Sequence, residues 1–261
     1  PFHRELIQLT TVPKIAVAAP TGFAKSTYFS VFSTLYELLE KPGIQILLVS
    51  ATGSLAEHWV AKIRNELEYN PSLLAYYGKQ NSKGKWAVDE LHLDNGSVLM
   101  AKGAEKQIRG FRPDVIKCDD IETDEMVLSP DRRSKFDKWF WTALISRLKP
   151  NGRLQVIGTL LHNESFLSEL ITKGREGWET RLYRAIQENG SSLWPEEWPL
   201  IKLDARKAEM GTYAFNQEYM NNPLSDELRP FKESWLKYYD KLPDGLIYFT
   251  TIDPAISLDS K

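Results

Sequence analysis

The 261 residues carry 33 Lys and Arg against 35 Asp and Glu, a net charge of −2, with 42% hydrophobic residues. This balance suits an ordinary globular protein and lacks the basic footprint of a tight nucleic-acid binder. A single cysteine, Cys118, and four scattered histidines argue against a disulfide framework, a cysteine-rich zinc site or a histidine-ligated metal, and point to a reducing cytosol. No run approaches the ~18 apolar residues of a membrane span, no signal segment opens the chain, and a first residue of Pro1 leads one to expect a start inside a longer protein.

In chain order, Ile15–Ala19 reads as a buried strand and Ser26–Leu39 as a helix with Phe29, Phe32, Leu35, Tyr36 and Leu39 on one side. Ile44–Ser50 is a second strand, and Ser54–Tyr69 is helical. Leu91–Leu93 and Ser97–Ala101 flank an Asp94-Asn95-Gly96 turn and predict a hairpin. Val115–Cys118 and Leu154–Gly158 are further buried strands, separated by a helical stretch from Pro130 to Leu148. This alternation predicts an α/β fold with a mainly parallel sheet flanked by helices over residues 1–160.

After Leu160 the pattern loosens. Ser165–Lys173 and Leu200–Tyr219 read as helices joined by a Trp- and Pro-containing loop, so 161–242 is expected to be a small helical lid and linker. Leu246–Ile252 reads as a strand ending in Asp253-Pro254, and 243–261 is expected to begin another domain.

The stretch Ala19-Pro20-Thr21-Gly22-Phe23-Ala24-Lys25-Ser26-Thr27 has Walker A spacing, follows a strand and opens a helix. Such loops aim backbone N–H groups and a helix N-terminus at phosphate. Residues Pro20 to Thr27 are therefore the candidate ATP-binding loop, with Lys25 reaching the β- and γ-phosphates and the Ser26 hydroxyl on Mg²⁺. Alanines at 19 and 24 replace the usual glycines and lead one to expect a differently shaped loop.

Downstream, an apolar strand ends in Asp119-Asp120-Ile121-Glu122, a Walker B form. Carboxylates at a strand's C-terminal end stand beside the phosphate loop in a parallel sheet. Asp119 is the expected Mg²⁺ ligand and Asp120 the first choice for orienting the attacking water. Glu122 is the alternative, because alternation in an extended segment puts it on the same side as Asp120. Thr159, after the strand ending at Gly158, can bond a γ-phosphate or the water. The three strand ends together fit a P-loop NTPase of the ASCE, RecA-like kind, with an extra strand between the two Walker elements.

These elements, with Pro1-Phe2-His3-Arg4-Glu5-Leu6, Leu48-Val-Ser-Ala-Thr52, Gln107-Ile-Arg-Gly-Phe-Arg-Pro-Asp114, Asn216-Gln-Glu-Tyr-Met-Asn-Asn-Pro223 and Ile252-Asp-Pro-Ala255, resemble the large terminase subunits of tailed bacteriophages. The resemblance runs nearly end to end. It implies an ATP-driven DNA-packaging motor with a lid, followed in the full-length protein by an RNase H-like nuclease that cuts concatemeric DNA with Mg²⁺ or Mn²⁺. It implies that Arg109, with Arg112 as fallback, reaches a neighbouring subunit's ATP in a homo-oligomeric ring, and that Asp253 is the first metal-binding acid of the nuclease. Double-stranded DNA, the portal protein and the terminase small subunit are the implied partners, and the host cytoplasm at the procapsid portal the implied place. Many relatives carry arginine where this chain has Thr21, so no cis arginine is carried over to that position.

Between Asp131 and Arg153 seven basic residues (Arg132, Arg133, Lys135, Lys138, Arg147, Lys149, Arg153) face two acids, with Trp139 and Trp141 among them. This is either a DNA-contacting surface or a solvated helix face. Two other functions stay open at this point. Ser50-Ala51-Thr52 invites a superfamily-2-like helicase, though too few residues remain for a second RecA-like domain. The loop alanines invite a non-enzymatic nucleotide-binding or assembly module.

Overall fold

A computed structural model describes residues 2–106, 108, 110–223 and 250. The fold below belongs to the first of two compact units, Pro1–Leu228. Arg109, Asp253 and the whole of 243–261, apart from residue 250, lie outside the described residues.

Seven strands form one sheet in the order β3-β4-β2-β5-β6-β1-β7. They are β1 (Lys14–Ala18), β2 (Gln45–Ser50), β3 (Glu90–His92), β4 (Val98–Gly103), β5 (Val115–Asp119), β6 (Arg153–Gly158) and β7 (Glu179–Leu182). Only the β3–β4 hairpin is antiparallel; the other five pairings are parallel. β6 lies between β1 and β5, so one strand separates the strand before the 19–27 loop from the strand that ends at Asp119.

The central strands are mostly apolar because both faces are covered, with Lys117 of β5 and Gln155 of β6 as buried polar exceptions. On one face Leu47, Val49, Ile116, Cys118, Leu154 and Val156 meet Phe136, Phe140, Leu144, Phe166 and Leu170. On the other, Ile46, Leu48, Leu99 and Val115 meet Leu35, Leu38, Val60 and Ile63. Ile15, Val17 and Ile157 pack against Phe2, Leu6, Phe29 and Phe215.

The helices are α1 (Phe2–Leu9), α2 (Ser33–Glu40), α3 (Gly53–Tyr69), α4 (Pro71–Tyr77), α5 (Asp124–Val127), α6 (Pro130–Trp139), α7 (Phe166–Lys173) and α8 (Leu200–Glu218). A π-helical segment, Thr27–Phe32, leads into α2, and another, Phe140–Leu144, continues α6 into a 3₁₀ turn, Ile145–Arg147. Side chains of Thr52, Asn70, Ser129 and Ser165 accept backbone N–H groups at the starts of α3, α4, α6 and α7, each worth ~1 kcal/mol. No described helix is long and apolar enough to cross a membrane.

Two expectations need correcting. Phe32 and Tyr36 do not share the buried side with Phe29; they are 50% and 63% exposed. Thr27–Phe32 is π-helical, and its wider turn departs from the α-helical period; Leu35 and Leu39 are buried as expected, and Val31 and Leu38 join them. Nor is the chain past Leu160 purely helical and loop-like, since β7 extends the sheet in parallel beside β1.

Candidate active site

The C-terminal ends of β1, β5 and β6 meet at one edge of the sheet, where the parallel register carries Ala18 against Gly158 and Asp119 against Ile157. The loop leaving β1 begins with Ala19 N–H bonded to Gly158 O at 3.0 Å. Gly22 has φ +78° and Ala24 φ +61°. Ala24 thus takes the left-handed conformation that glycine ordinarily supplies, so the alanine does not forbid it; it makes it strained. Phe23 is fully buried and stacks on Trp198 with centroids 5.7 Å apart, while Trp198 Nε1 donates to Gly22 O at 3.2 Å. His3 of α1 lies 3.3 Å from Phe23 O. Phe23 therefore contributes backbone to the loop and anchors it from behind.

Past the loop the chain turns into helix, which aims Lys25 and Ser26 back across the strand ends. Lys25 Nζ donates to Thr159 Oγ1 at 3.1 Å and stands 3.8 Å from Asp120 Oδ2. Ser26 Oγ donates to Asp119 Oδ1 at 2.9 Å, and Ser30 Oγ to Asp119 Oδ2 at 2.7 Å. Asp119 is fully buried, and burial, then the neighbouring Asp120 carboxylate, pushes its carboxyl up to about 7. Asp120 has φ +46°, a strained backbone that turns its side chain to the open edge, where it is 40% exposed. Gly158 makes room for it: a Cβ there would sit 3.1 Å from Asp120 Oδ1.

Glu122 does not join this group. Its two oxygens accept the Phe166 and Leu167 N–H groups at 2.7 and 2.9 Å, at the N-terminal turn of α7. Burial raises its carboxyl to about 7 in spite of those bonds. Arg112 has no described bond to the site, and Arg109 falls outside the described residues. Pro20 and Thr21 sit on the loop, and Thr27 opens the π-helical segment.

The donor set suits a hard divalent cation, since Ser26 Oγ and the buried carboxylate of Asp119 converge as oxygen ligands. Among the described residues no three His, Cys, Asp or Glu side chains cluster as a protein-only metal site. That pattern fits Mg²⁺, which binds through one or two protein oxygens plus phosphates and water.

Three residues of the site were not anticipated. Ser30 had a signal, because it lies one helical turn beyond Ser26. Glu218 and Asn221 belong to the Asn216–Pro223 segment, but nothing local shows that Glu218 reaches Thr21 of the loop or that Asn221 reaches Leu160 and Tyr183 beyond the strand ends. Thr52, conversely, caps α3, accepting Leu55 N–H at 3.2 Å, which accounts for it without helicase chemistry. Of the seven basic residues between 131 and 153, five pair with acids: Arg132 with Glu125, Arg133 with Glu164, Lys135 with Glu105, Lys149 with Asp114 and Arg153 with Glu37.

The described residues share the fold of phage large-terminase ATPase domains, a mostly parallel sheet flanked by helices. The ATPase domain of the Thermus phage P74-26 large terminase superposes with a TM-score of 0.54 at 17% identity, over 84% of this chain and 93% of that one. The bacteriophage HK97 large terminase gives 0.60 at 15% identity, over 87% of this chain and 50% of that one. The large terminase of a thermophilic bacteriophage, in complex with ATP-γ-S, gives 0.54 at 8% identity, over 85% of this chain and 52% of that one. The chain thus spans about half the length of these last two proteins. No protein-family model and no curated protein sequence matches it.

Proposed function

We propose that this chain is the ATP-hydrolysing motor part of a large terminase, driving double-stranded DNA into a procapsid. The observation that carries this reading is the convergence of Lys25, Ser26, Asp119, Asp120 and Thr159 at one sheet edge of a terminase-type fold. In this reading the loop N–H groups and Lys25 bind the β- and γ-phosphates of ATP. Ser26 and Asp119 would hold Mg²⁺, whose chemistry here is to neutralise charge on the phosphate oxygens. Asp120, exposed at the edge, orients a water and accepts its proton as the water oxygen bonds to the γ-phosphorus. The bond from that phosphorus to the β–γ bridging oxygen breaks, and ADP and phosphate leave. Thr159 senses the γ-phosphate end through its bond with Lys25.

The ring, the portal protein, the terminase small subunit and the host cytoplasm enter as parts of the same proposal, with Arg109 acting on a neighbour's ATP. So does the nuclease of the longer protein, in which Asp253 would bind Mg²⁺ or Mn²⁺. The left-handed φ of Ala24, adopted despite its methyl group, removes the main motive for a non-enzymatic module. The test is ATP turnover with and without double-stranded DNA, for the wild type and Lys25→Ala. DNA-stimulated turnover lost in a folded Lys25→Ala variant is expected; turnover that survives it counts against the site.

A further inference from the structure

The last turn of α8 lies directly on the phosphate loop. Thr21 N donates to Glu218 O at 2.9 Å, and Thr21 Oγ1 donates to Glu218 Oε2 at 2.6 Å. On its other side Thr21 Oγ1 lies 3.4 Å from Thr159 Oγ1, the atom that accepts from Lys25 Nζ. Lys25, Thr159, Thr21 and Glu218 thus form one polar chain from the phosphate-binding lysine to α8. Three residues on, Asn221 is buried with φ +48° and ties the same segment down. Its Oδ1 accepts Leu160 N–H at 2.9 Å beyond β6, and its Nδ2 donates to Tyr183 O at 2.8 Å beyond β7.

Asn221 shows how a neutral side chain braces this junction. Glu218 is different, because it brings a full negative charge to a loop built for phosphate. It sits at the C-terminal end of the short helical stretch that follows the break at Gly211 (φ +81°), where the last carbonyls add partial negative charge. Among the described residues it forms no salt bridge; its other oxygen accepts only Gln217 Nε2, at 3.3 Å. An anionic ligand on the loop is repelled by this carboxylate and competes with it for the Thr21 hydroxyl.

We propose that Glu218 is a positioning residue that holds the phosphate loop through Thr21 and gives up the Thr21 hydroxyl to the incoming phosphates. This rests on the nucleotide-site reading above. The repulsion grows with ligand charge, so the effect is larger for a triphosphate than for a diphosphate, and it weakens as salt screens it.

The experiment is equilibrium binding of ATP-γ-S and ADP with Mg²⁺, at low and high salt, to wild type, Glu218→Gln, Glu218→Ala and Lys25→Ala. Glu218→Gln keeps an acceptor oxygen for Thr21 and removes the charge. It is expected to bind ATP-γ-S roughly fivefold tighter, with a smaller gain for ADP and a gain that shrinks at high salt. In turnover it should lower KM without raising kcat. Glu218→Ala should tighten binding in the same direction; if it does not fold, Glu218→Gln decides. If the wild type binds in a Lys25-dependent way and Glu218→Gln binds no tighter, Glu218 is only a structural brace and the proposal fails alone. If wild type and Lys25→Ala bind alike, the nucleotide site itself is wrong and the proposal falls with it.

Discussion

Ser26 Oγ donates to Asp119 Oδ1 at 2.9 Å, across 93 residues of chain. The bond joins the helix that follows β1 to the end of β5, although β6 lies between those strands. It is possible because the first helical residues lean over the strand ends, and Ser30, one turn later, secures the other oxygen of the same carboxylate at 2.7 Å. The two hydroxyls fix the orientation of this buried acid without supplying a positive charge, which is left for a cation.

Asp120 and Glu122 differ in what their oxygens touch, so their variants should separate. Asp120→Asn is expected to bind ATP with wild-type affinity and to lose most turnover, since its side chain faces the open edge beside Lys25. Glu122→Gln loses one of two charge-assisted bonds to the start of α7 and should lower stability by roughly 1–3 kcal/mol while retaining turnover in the folded fraction. Binding and single-turnover assays alongside thermal melts distinguish them. A stable Glu122→Gln protein that binds and stalls would reverse the assignment.

Glu122 also gives a pH signature. Its carboxyl lies near 7 in the folded chain against an ordinary 4.5, so between those values the folded state holds more protons than the unfolded one. Its contribution therefore favours folding most below about 4.5 and is lost as pH rises through 7. Comparing melting temperatures of wild type and Glu122→Gln from pH 8 to pH 5.5 should show the wild type gaining on the variant as pH falls. A constant difference would mean that Glu122 is not held in this environment.

Ala24→Gly should stabilise the protein slightly. Alanine at φ +61° costs about 1–2 kcal/mol, while glycine forfeits about 0.5–1 kcal/mol in unfolded-state entropy. The net gain is roughly 0.5 kcal/mol, or about 1–2 °C in melting temperature for a chain of this size. A fall in melting temperature would show that the methyl group has a packing role that outweighs the backbone strain.

Glu37 should be among the least replaceable polar residues. Its side chain is 4% exposed and sits between Arg153 and Lys117, whose side chain is 2% exposed and whose Nζ is 3.7 Å from Glu37 Oε2. Burial already draws the Lys117 amine down to about 8, with Glu37 opposing. Glu37→Ala leaves Lys117 and Arg153, and the exposed Lys41 3.8 Å from its Oε1, without their shared acid and is expected to cost ~3–5 kcal/mol in urea unfolding. A loss below ~1 kcal/mol would indicate that water or rearrangement satisfies Lys117.

The sequence by itself determined the layered α/β plan and singled out the lysine, hydroxyl and acids that the fold brings to one sheet edge. Strands buried on both faces are apolar along most of their length, so β1, β2, β5 and β6 stand out as short runs rich in Val, Ile and Leu. A phosphate loop likewise needs a lysine and a hydroxyl at fixed spacing after a strand. What depends on partners far along the chain was decided only by tertiary structure. β7 is a half-exposed edge strand with the sequence Glu-Thr-Arg-Leu, which has no apolar run to read. The π-helical segment Thr27–Phe32 departs from the α-helical period that a sequence reading assumes, and Phe32 and Tyr36 are exposed. Glu122 looks like a second active-site acid until the N–H groups of α7, 44 and 45 residues on, take both its oxygens. Glu218 reaches Thr21 across 197 residues. A residue's type limits the bonds it can make, but which of them form depends on what the folded chain brings within about 3 Å.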